Sequence, residues 1–329
     1  MNPAQATQKA VLDVLAGAPL HDAARQVPME ATDLADAVDV FQQAGLAALE
    51  AQGAVRTSWF QVHIQFPNWD TAEETAATHL GPWLRQAEAD GLVSSWWYIR
   101  KPPCWRLRCT PGATVTRTRM MQSTTAALDD LASRHLIAKW WETIYEPETT
   151  VFGGQPAMSI AHRLFHADSK GILDYLGHPA PTAQSERTIG RRELAVLMCS
   201  LLMRSAEQEW SEQGDVWHQV SQLRPLPSDT PPDRLRGMQP TLKRLMTVDA
   251  GSTSTLMSRS GPLAAFTPWA TAVEEVGAAL HNGSRTGQLD RGIREILTHH
   301  VLFHLNRMGL PDATQGILAR AARETAITQ

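Results

Sequence analysis

Between Ala4 and about Gln52 the apolar residues recur at helical spacing: Val11, Leu12 and Leu15, then Ala23, Ala24 and Val27, then Leu34, Ala37, Val38, Phe41 and Leu46. This predicts a helical, helix-turn-helix-like module over residues 1–55. From Ser58 the period changes. Trp59 to Phe66 reads as a strand, and Thr71 to Asp90 as a helix capped by Asp70, with Glu73 completing a capping box. Leu92 to Arg100 and Cys104 to Thr110 read as strands split by Lys101-Pro102-Pro103; Arg119 to His135 is a second helix and Ala138 to Glu146 a fourth strand. The order β-α-β-β-α-β predicts a ferredoxin-like sheet unit over residues 56–150, with the first and third strands side by side at its centre.

After Gly153-Gly154 the pattern is helical to the end: Met158 to Phe165, Ser169 to Leu176, Arg191 to Trp210, Val216 to Leu223, Pro240 to Val248, Pro268 to Leu280, Leu289 to Met308 and Asp312 to Glu324. The stretch Asp249 to Gly261 is the most loop-like interior segment. The expected fold is α+β: an N-terminal helical module, then one domain over 56–329 made of the sheet unit and a large helical region, 151–329. So many helices need an apolar surface, and packing some of them over the open side of the sheet would turn that side into a cleft.

Period-two alternation assigns the chemistry to that side. Phe60, Val62, Ile64 and Phe66 share the face that the two crossover helices cover, leaving Gln61, His63 and Gln65 on the other. In the run Cys104 to Cys109, Arg106 and Arg108 project together, opposite Trp105 and Leu107. Two guanidinium groups on a rigid sheet suit a carboxylate or peptide carbonyl. The alternation alone leaves open whether this face is solvated or walled in.

Composition narrows the function classes. A net charge of -4 over 329 residues argues against general nucleic-acid attraction, and the -5 carried by residues 1 to 52 argues against a DNA-reading helix. No basic segment leading into an apolar core opens the chain, and no run of about 18 apolar residues occurs, so a cytoplasmic protein without a membrane anchor is expected. Cys104, Cys109 and Cys199 have no Cys-x-x-Cys spacing, which predicts neither a disulfide framework nor a zinc site. Nucleophile-elbow, Walker A, dinucleotide and His-Glu-x-x-His patterns are absent. His300 and His304 have the i, i+4 spacing of metal ligands, but no third ligand lies near them in sequence; no metal is expected. His162 and His166, one turn apart around Arg163, can serve as acid or base near neutral pH, while Asp168 or Ser169 could instead cap the next helix. Gly153 and Gly154 mark a turn where backbone can approach a ligand closely.

Trp59-Phe60-Gln61, Trp69 with the helix after it, Trp96-Trp97 before Arg100, the Pro102-to-Arg108 block, Tyr145-Glu146-Pro147-Glu148 and Gly153-Gly154, in this order, resemble the thiopeptide-type bacteriocin biosynthesis family. That family includes the glutamate-eliminating C-terminal domain of lanthipeptide dehydratases and the thiopeptide pyridine synthases. The resemblance runs from Ser58 to Asn306-Arg307. It implies a peptide-modifying enzyme acting on a ribosomal precursor peptide with a leader, without metal or organic cofactor, with a glutamylating dehydratase subunit among the candidate partners. Arg106 and Arg108 match the Arg-x-Arg of that family; with His63 and Tyr145 they are the expected catalytic groups, and Gln61, Arg100, Trp97, Gly153, Gly154, His162 and His166 are the expected substrate contacts. The eliminating members carry Arg-Tyr-Gly-Gly where this chain reads Val151-Phe152-Gly153-Gly154, and Leu302 stands where they place a histidine. Loss of a carboxylate-binding arginine weighs against glutamate expulsion. It puts formal [4+2] aza-cycloaddition of two dehydroalanines, with leader expulsion, ahead of elimination or a non-catalytic recognition role.

Overall fold

The computed structural model describes residues 2–177 and 189–327, and divides into two compact units with the boundary between Ser58 and Trp59. The first contains α1 (Pro3–Leu15), α2 (Leu20–Ala24) and α3 (Ala31–Ser58). Asn2 starts α1 by accepting the Ala4 N–H, with Gln5 closing a capping box. Ala10, Val11, Ala23, Ala24, Val27, Leu34 and Val38 form its small core. Leu12, Leu15, Phe41 and Leu46, placed on the apolar stripes by periodicity, are exposed instead, because helices this few cover one narrow face each.

The second unit is built on β1 (Phe60–Gln65), β2 (Val93–Lys101), β3 (Cys104–Pro111) and β4 (Lys139–Thr143). Every neighbouring pair is antiparallel, and the order β2-β3-β1-β4 puts β1 and β3 at the centre, as the β-α-β-β-α-β reading requires. The first crossover holds α4 (Ala72–Thr75), a π-helical turn (Ala76–Leu80) and α5 (Gly81–Ala89). The turn widens directly before Pro82, which has no N–H for an i−4 bond. Asp70 does not cap this helix: Thr71 occupies the cap position without a side-chain bond, and the Glu73 carboxylate is taken by Arg100 and Arg191. The second crossover is α6 (Arg117–Ser133). β4 ends at Thr143, earlier than predicted, and its continuation turns away with the Ile144 carbonyl accepting from the Gln61 side chain at 2.9 Å.

One uninterrupted helix, α7 (Gln155–Gly177), replaces the two expected between Met158 and Leu176. Asp168 and Ser169 resemble a cap in sequence, yet both side chains are spent on tertiary partners. The remaining helices are α8 (Arg191–Ser205), α9 (Trp210–Leu223), α10 (Pro232–Thr247), α11 (Thr267–Arg285), α12 (Ile293–Arg307) and α13 (Asp312–Ile327). The helix predicted over Arg191 to Trp210 stops at Ser205, where Glu207 takes a left-handed conformation with φ 54°. α10, by contrast, continues through Pro240.

Phe60, Val62, Ile64, Trp105, Leu107 and Cys109 bury one sheet face in the main core. On the opposite face Trp97 joins Trp59, Tyr145, Phe152, Met158, Ala161 and Phe165 in a second, mostly aromatic cluster. The β2–β3 half of that face is thus roofed, while the β4 end stays open, with Trp141 37% exposed. The outer edge of β2 is also closed. His166 Nδ1 lies 3.2 Å from the Trp96 nitrogen and 2.9 Å from its carbonyl oxygen; the Tyr98 N–H donates to Ser169 Oγ at 3.2 Å, and Arg307 Nε donates to the Tyr98 carbonyl at 3.1 Å. Side chains of α7 and α12 therefore satisfy the groups that would otherwise template another strand.

Candidate functional site

Register brings the polar residues of β1 and β3 into pairs, Gln61 opposite Arg108 and His63 opposite Arg106. Trp97 of β2 stands opposite Arg108 on the other flank. Arg108 is 7% exposed; its Nε donates to Gln61 Oε1 at 2.6 Å, and the guanidinium carbon lies 3.9 Å from the Trp97 ring centroid and 4.6 Å from that of Tyr145. Burial pulls its pKa down to about 10, against the opposing influence of Tyr145. Gln61 is fixed in turn by donating to Thr143 Oγ1 at 2.7 Å.

The Tyr145 hydroxyl is 2.8 Å from His162 Nε2, and both side chains are buried. Burial, then the nearby Arg108 charge, lower the His162 pKa to about 4. Burial also raises the Tyr145 phenol above its ordinary value, with Arg108 offsetting part of the effect. At neutral pH the pair is therefore a neutral imidazole against a neutral phenol. In the tautomer whose Nε2–H donates to the phenol oxygen, the Tyr145 O–H is free to point at a substrate.

These groups border a cavity of about 70 Å³ walled by Trp97, Ile99, Arg106, Arg108, Tyr145 and Phe152, with Met158, Phe165 and Phe303 closing it from α7 and α12 and Lys101 and Glu148 at its margin. Two buried donors beside it, Arg108 Nη1 and Trp97 Nε1, have no hydrogen-bond partner. An unpaired buried donor costs about 1–3 kcal/mol, so the wall is prepared for an acceptor such as a carbonyl or carboxylate oxygen. The volume is well below the roughly 300–1,000 Å³ of a complete small-molecule pocket. Only part of a substrate can enter, with the remainder over the open face.

Of the residues singled out in the sequence, Gln61, Trp97, Arg106, Arg108, Tyr145 and His162 come together here. His63 lies on the same face, half-buried, its ring 5.2 Å from that of Trp141, and outside the cavity wall; burial, Arg106 and Arg108 all lower its pKa. Arg100 does not join them. Strand parity sends it to the opposite face, where it pairs with Glu73 and lies 5.6 Å from the Trp69 ring centroid and 5.5 Å from that of Trp105. His166 faces the β2 edge and lies 3.6 Å from Glu88. Gly153 and Gly154 have φ of 89° and 96°, but the backbone they open is approached by protein: a Cβ at Gly153 would collide with Ile296, and one at Gly154 with Asp290.

The sequence reading missed the walls contributed by Phe152, Met158, Phe165 and Phe303. Met158, His162 and Phe165 fall at i, i+4 and i+7 within the helix expected over Met158 to Phe165, but the stripe alone does not say which surface it faces. It also missed a buried group behind the cavity, where Asp168 accepts from His304 Nδ1 at 2.7 Å and pairs with Arg307, whose guanidinium carbon is 4.8 Å from the Phe165 ring centroid. Among the described residues no cluster of three or more His, Cys, Asp or Glu side chains could hold a metal, and no helix is long and apolar enough to cross a membrane.

Comparison with known proteins gives this architecture a context. The tRNA-dependent lantibiotic dehydratase MibB from a Microbispora species matches with TM-score 0.59 and 18% identity over 82% of this chain, which spans only 28% of MibB. TsrL matches with TM-score 0.50 and 15% identity, covering 82% of this chain and 97% of its own. The pyridine synthase TbtD from thiomuracin biosynthesis matches with TM-score 0.51 and 13% identity, covering 82% and 98%. At these identities the likeness is one of fold. No match was found among curated protein sequences. Residues 59–326 match the family described as lantibiotic biosynthesis dehydratase C-term, and with more than half of its length inside that match the chain belongs to this family.

Proposed function

We propose that the protein modifies a ribosomally made precursor peptide that already bears dehydroalanines, joining two of them by formal [4+2] aza-cycloaddition and then expelling water and the leader. The observation that carries this reading is the pairing of unpartnered donors, Arg108 Nη1 and Trp97 Nε1, with a neutral Tyr145–His162 couple at one small, aromatic-walled cavity. Cycloaddition needs one backbone amide as its iminol and the two alkenes held in contact. Donors on the amide oxygen and a phenol that can pass it a proton favour the first, with a base at the amide nitrogen completing the exchange; His63, kept neutral at the open side, is the candidate base. Confinement against Trp97, Phe152 and Phe165 favours the second, and positioning of this kind is worth about 7–11 kcal/mol.

One further observation favours cycloaddition over glutamate elimination. Val151 stands where eliminating members carry an arginine, so no third cation is offered there to a glutamyl carboxylate. Elimination remains the second reading, because Arg106 and Arg108 could still hold a carboxylate. Incubating the full chain with a dehydrated, azole-bearing precursor and following masses separates the two. Release of a free leader amide with a matching core product is expected; loss of glutamate from a glutamylated precursor would replace cycloaddition by elimination, and tight binding without mass change would make the protein a recognition subunit.

A further inference from the structure

A second cavity, of about 330 Å³, lies between α8, α10 and α13 and shares no residue with the site above. Its lining is apolar at depth, with Val196, Leu242, Leu245, Ile317 and Leu318, and charged at the rim. Arg192 and Arg234 stand there against a single carboxylate, Glu193, which folds back over Gly190 at the start of α8. Neither guanidinium has an ion-pair or hydrogen-bond partner among the described residues.

The wall from α10 carries an independent sign of use. Gly237 sits inside that helix, where glycine weakens it relative to alanine, and no packing demand explains it, because a Cβ there would meet nothing within 4 Å. The space it leaves belongs to the cavity. A helix that gives up stability to keep a wall low, beneath two unpaired cations, fits a bound segment better than bare solvent.

We propose that this groove docks an acidic peptide segment, inserting one large apolar side chain between α8, α10 and α13 while flanking carboxylates meet Arg192 and Arg234. The apolar floor sets the need for a hydrophobic anchor, and the rim sets the sign of its neighbours. The volume suits one or two large side chains rather than a folded domain.

Fluorescence anisotropy with the full chain tests this, using fluorescein-labelled Glu-Glu-X-Glu-Glu peptides in which X is Leu, Phe or Trp, and their Lys-Lys-X-Lys-Lys counterparts. Saturable binding of an acidic peptide is expected, weakened by salt and at least about tenfold stronger than its lysine counterpart. Gly237→Leu, which fills the space from a helix-compatible position, and Arg192→Glu/Arg234→Glu, which reverses the rim, should each weaken it at least about tenfold while circular dichroism shows the parental fold. Failure of every acidic peptide to bind, equal binding of the lysine peptides, or parental affinity in either folded variant would overturn the assignment. The assignment makes no use of the reaction proposed above, and its failure would leave that reading untouched.

Discussion

Replacing Asp168 by asparagine removes one charge and almost no volume, from the point where α7, α12 and the β2 edge are tied together. The carboxylate is 2% exposed and Arg307 1% exposed, and Arg307 also holds the Tyr98 carbonyl. Breaking a buried pair by neutralising one partner costs about 3–5 kcal/mol, because the other charge is left uncompensated. At about 2–4 °C per kcal/mol for a unit of this size, Tm should fall by roughly 6–20 °C. Arg307→Met should cost a similar amount, and the double variant should lose less than the two singles together by about 1–3 kcal/mol, since no buried charge then remains unpaired. The pH dependence has a definite sign. Burial alone would raise the Asp168 pKa, but His304 and Arg307 outweigh it and hold the carboxyl below its usual range. The native state therefore binds this proton less readily than the unfolded chain. The contribution is complete above about pH 4 and is lost as pH falls through the native value. Urea denaturation followed by tryptophan fluorescence at pH 7 and pH 3 measures both effects. A variant within about 1 kcal/mol of the parent at pH 7, or strict additivity in the double variant, would refute the reasoning.

Tyr145→Phe should leave the fold intact and reduce turnover of the precursor by about 10²–10⁴-fold, the range of general acid–base catalysis; unchanged turnover removes the phenol from the chemistry. His162, with a native pKa of about 4 against about 6.5 unfolded, makes the unfolded state the stronger proton acceptor between those values. Stability should then decline by up to roughly 3 kcal/mol as pH drops from about 6.5 to about 4, and His162→Gln should flatten that part of a urea-denaturation profile. Ser169→Ala strips the Tyr98 N–H of its partner, at a cost of about 1–3 kcal/mol, and hydrogen exchange at that amide should quicken more than at its neighbours in β2.

Strand parity made half of the site legible before any coordinates. It pairs Gln61 with Arg108 and His63 with Arg106 on one face once β1 and β3 are neighbours, and the observed register agrees. The same parity also spoke against Arg100. In β2, Trp97, Ile99 and Lys101 share the cavity face, so Trp96, Tyr98 and Arg100 must share the other, and the assignment of Arg100 to substrate came from family resemblance overriding a local rule. What no local rule could supply is the roof. Asp168-Ser169 has the composition of a helix cap and reads as one until His304, Arg307 and the Tyr98 amide are known to need those side chains, and two of these lie 136 and 139 residues further along the chain. With those partners out of sight, nothing local says that Phe165 packs between Arg307 and Trp97. The Gly153-Gly154 turn failed in the same way: its open backbone is filled by Ile296 and Asp290, side chains whose arrival depends on how α12 is anchored. The candidate site's polar face is thus a property of two adjacent strands, but its enclosure is a property of a buried carboxylate, which is why neutralising Asp168 should loosen the cavity without touching a group that lines it.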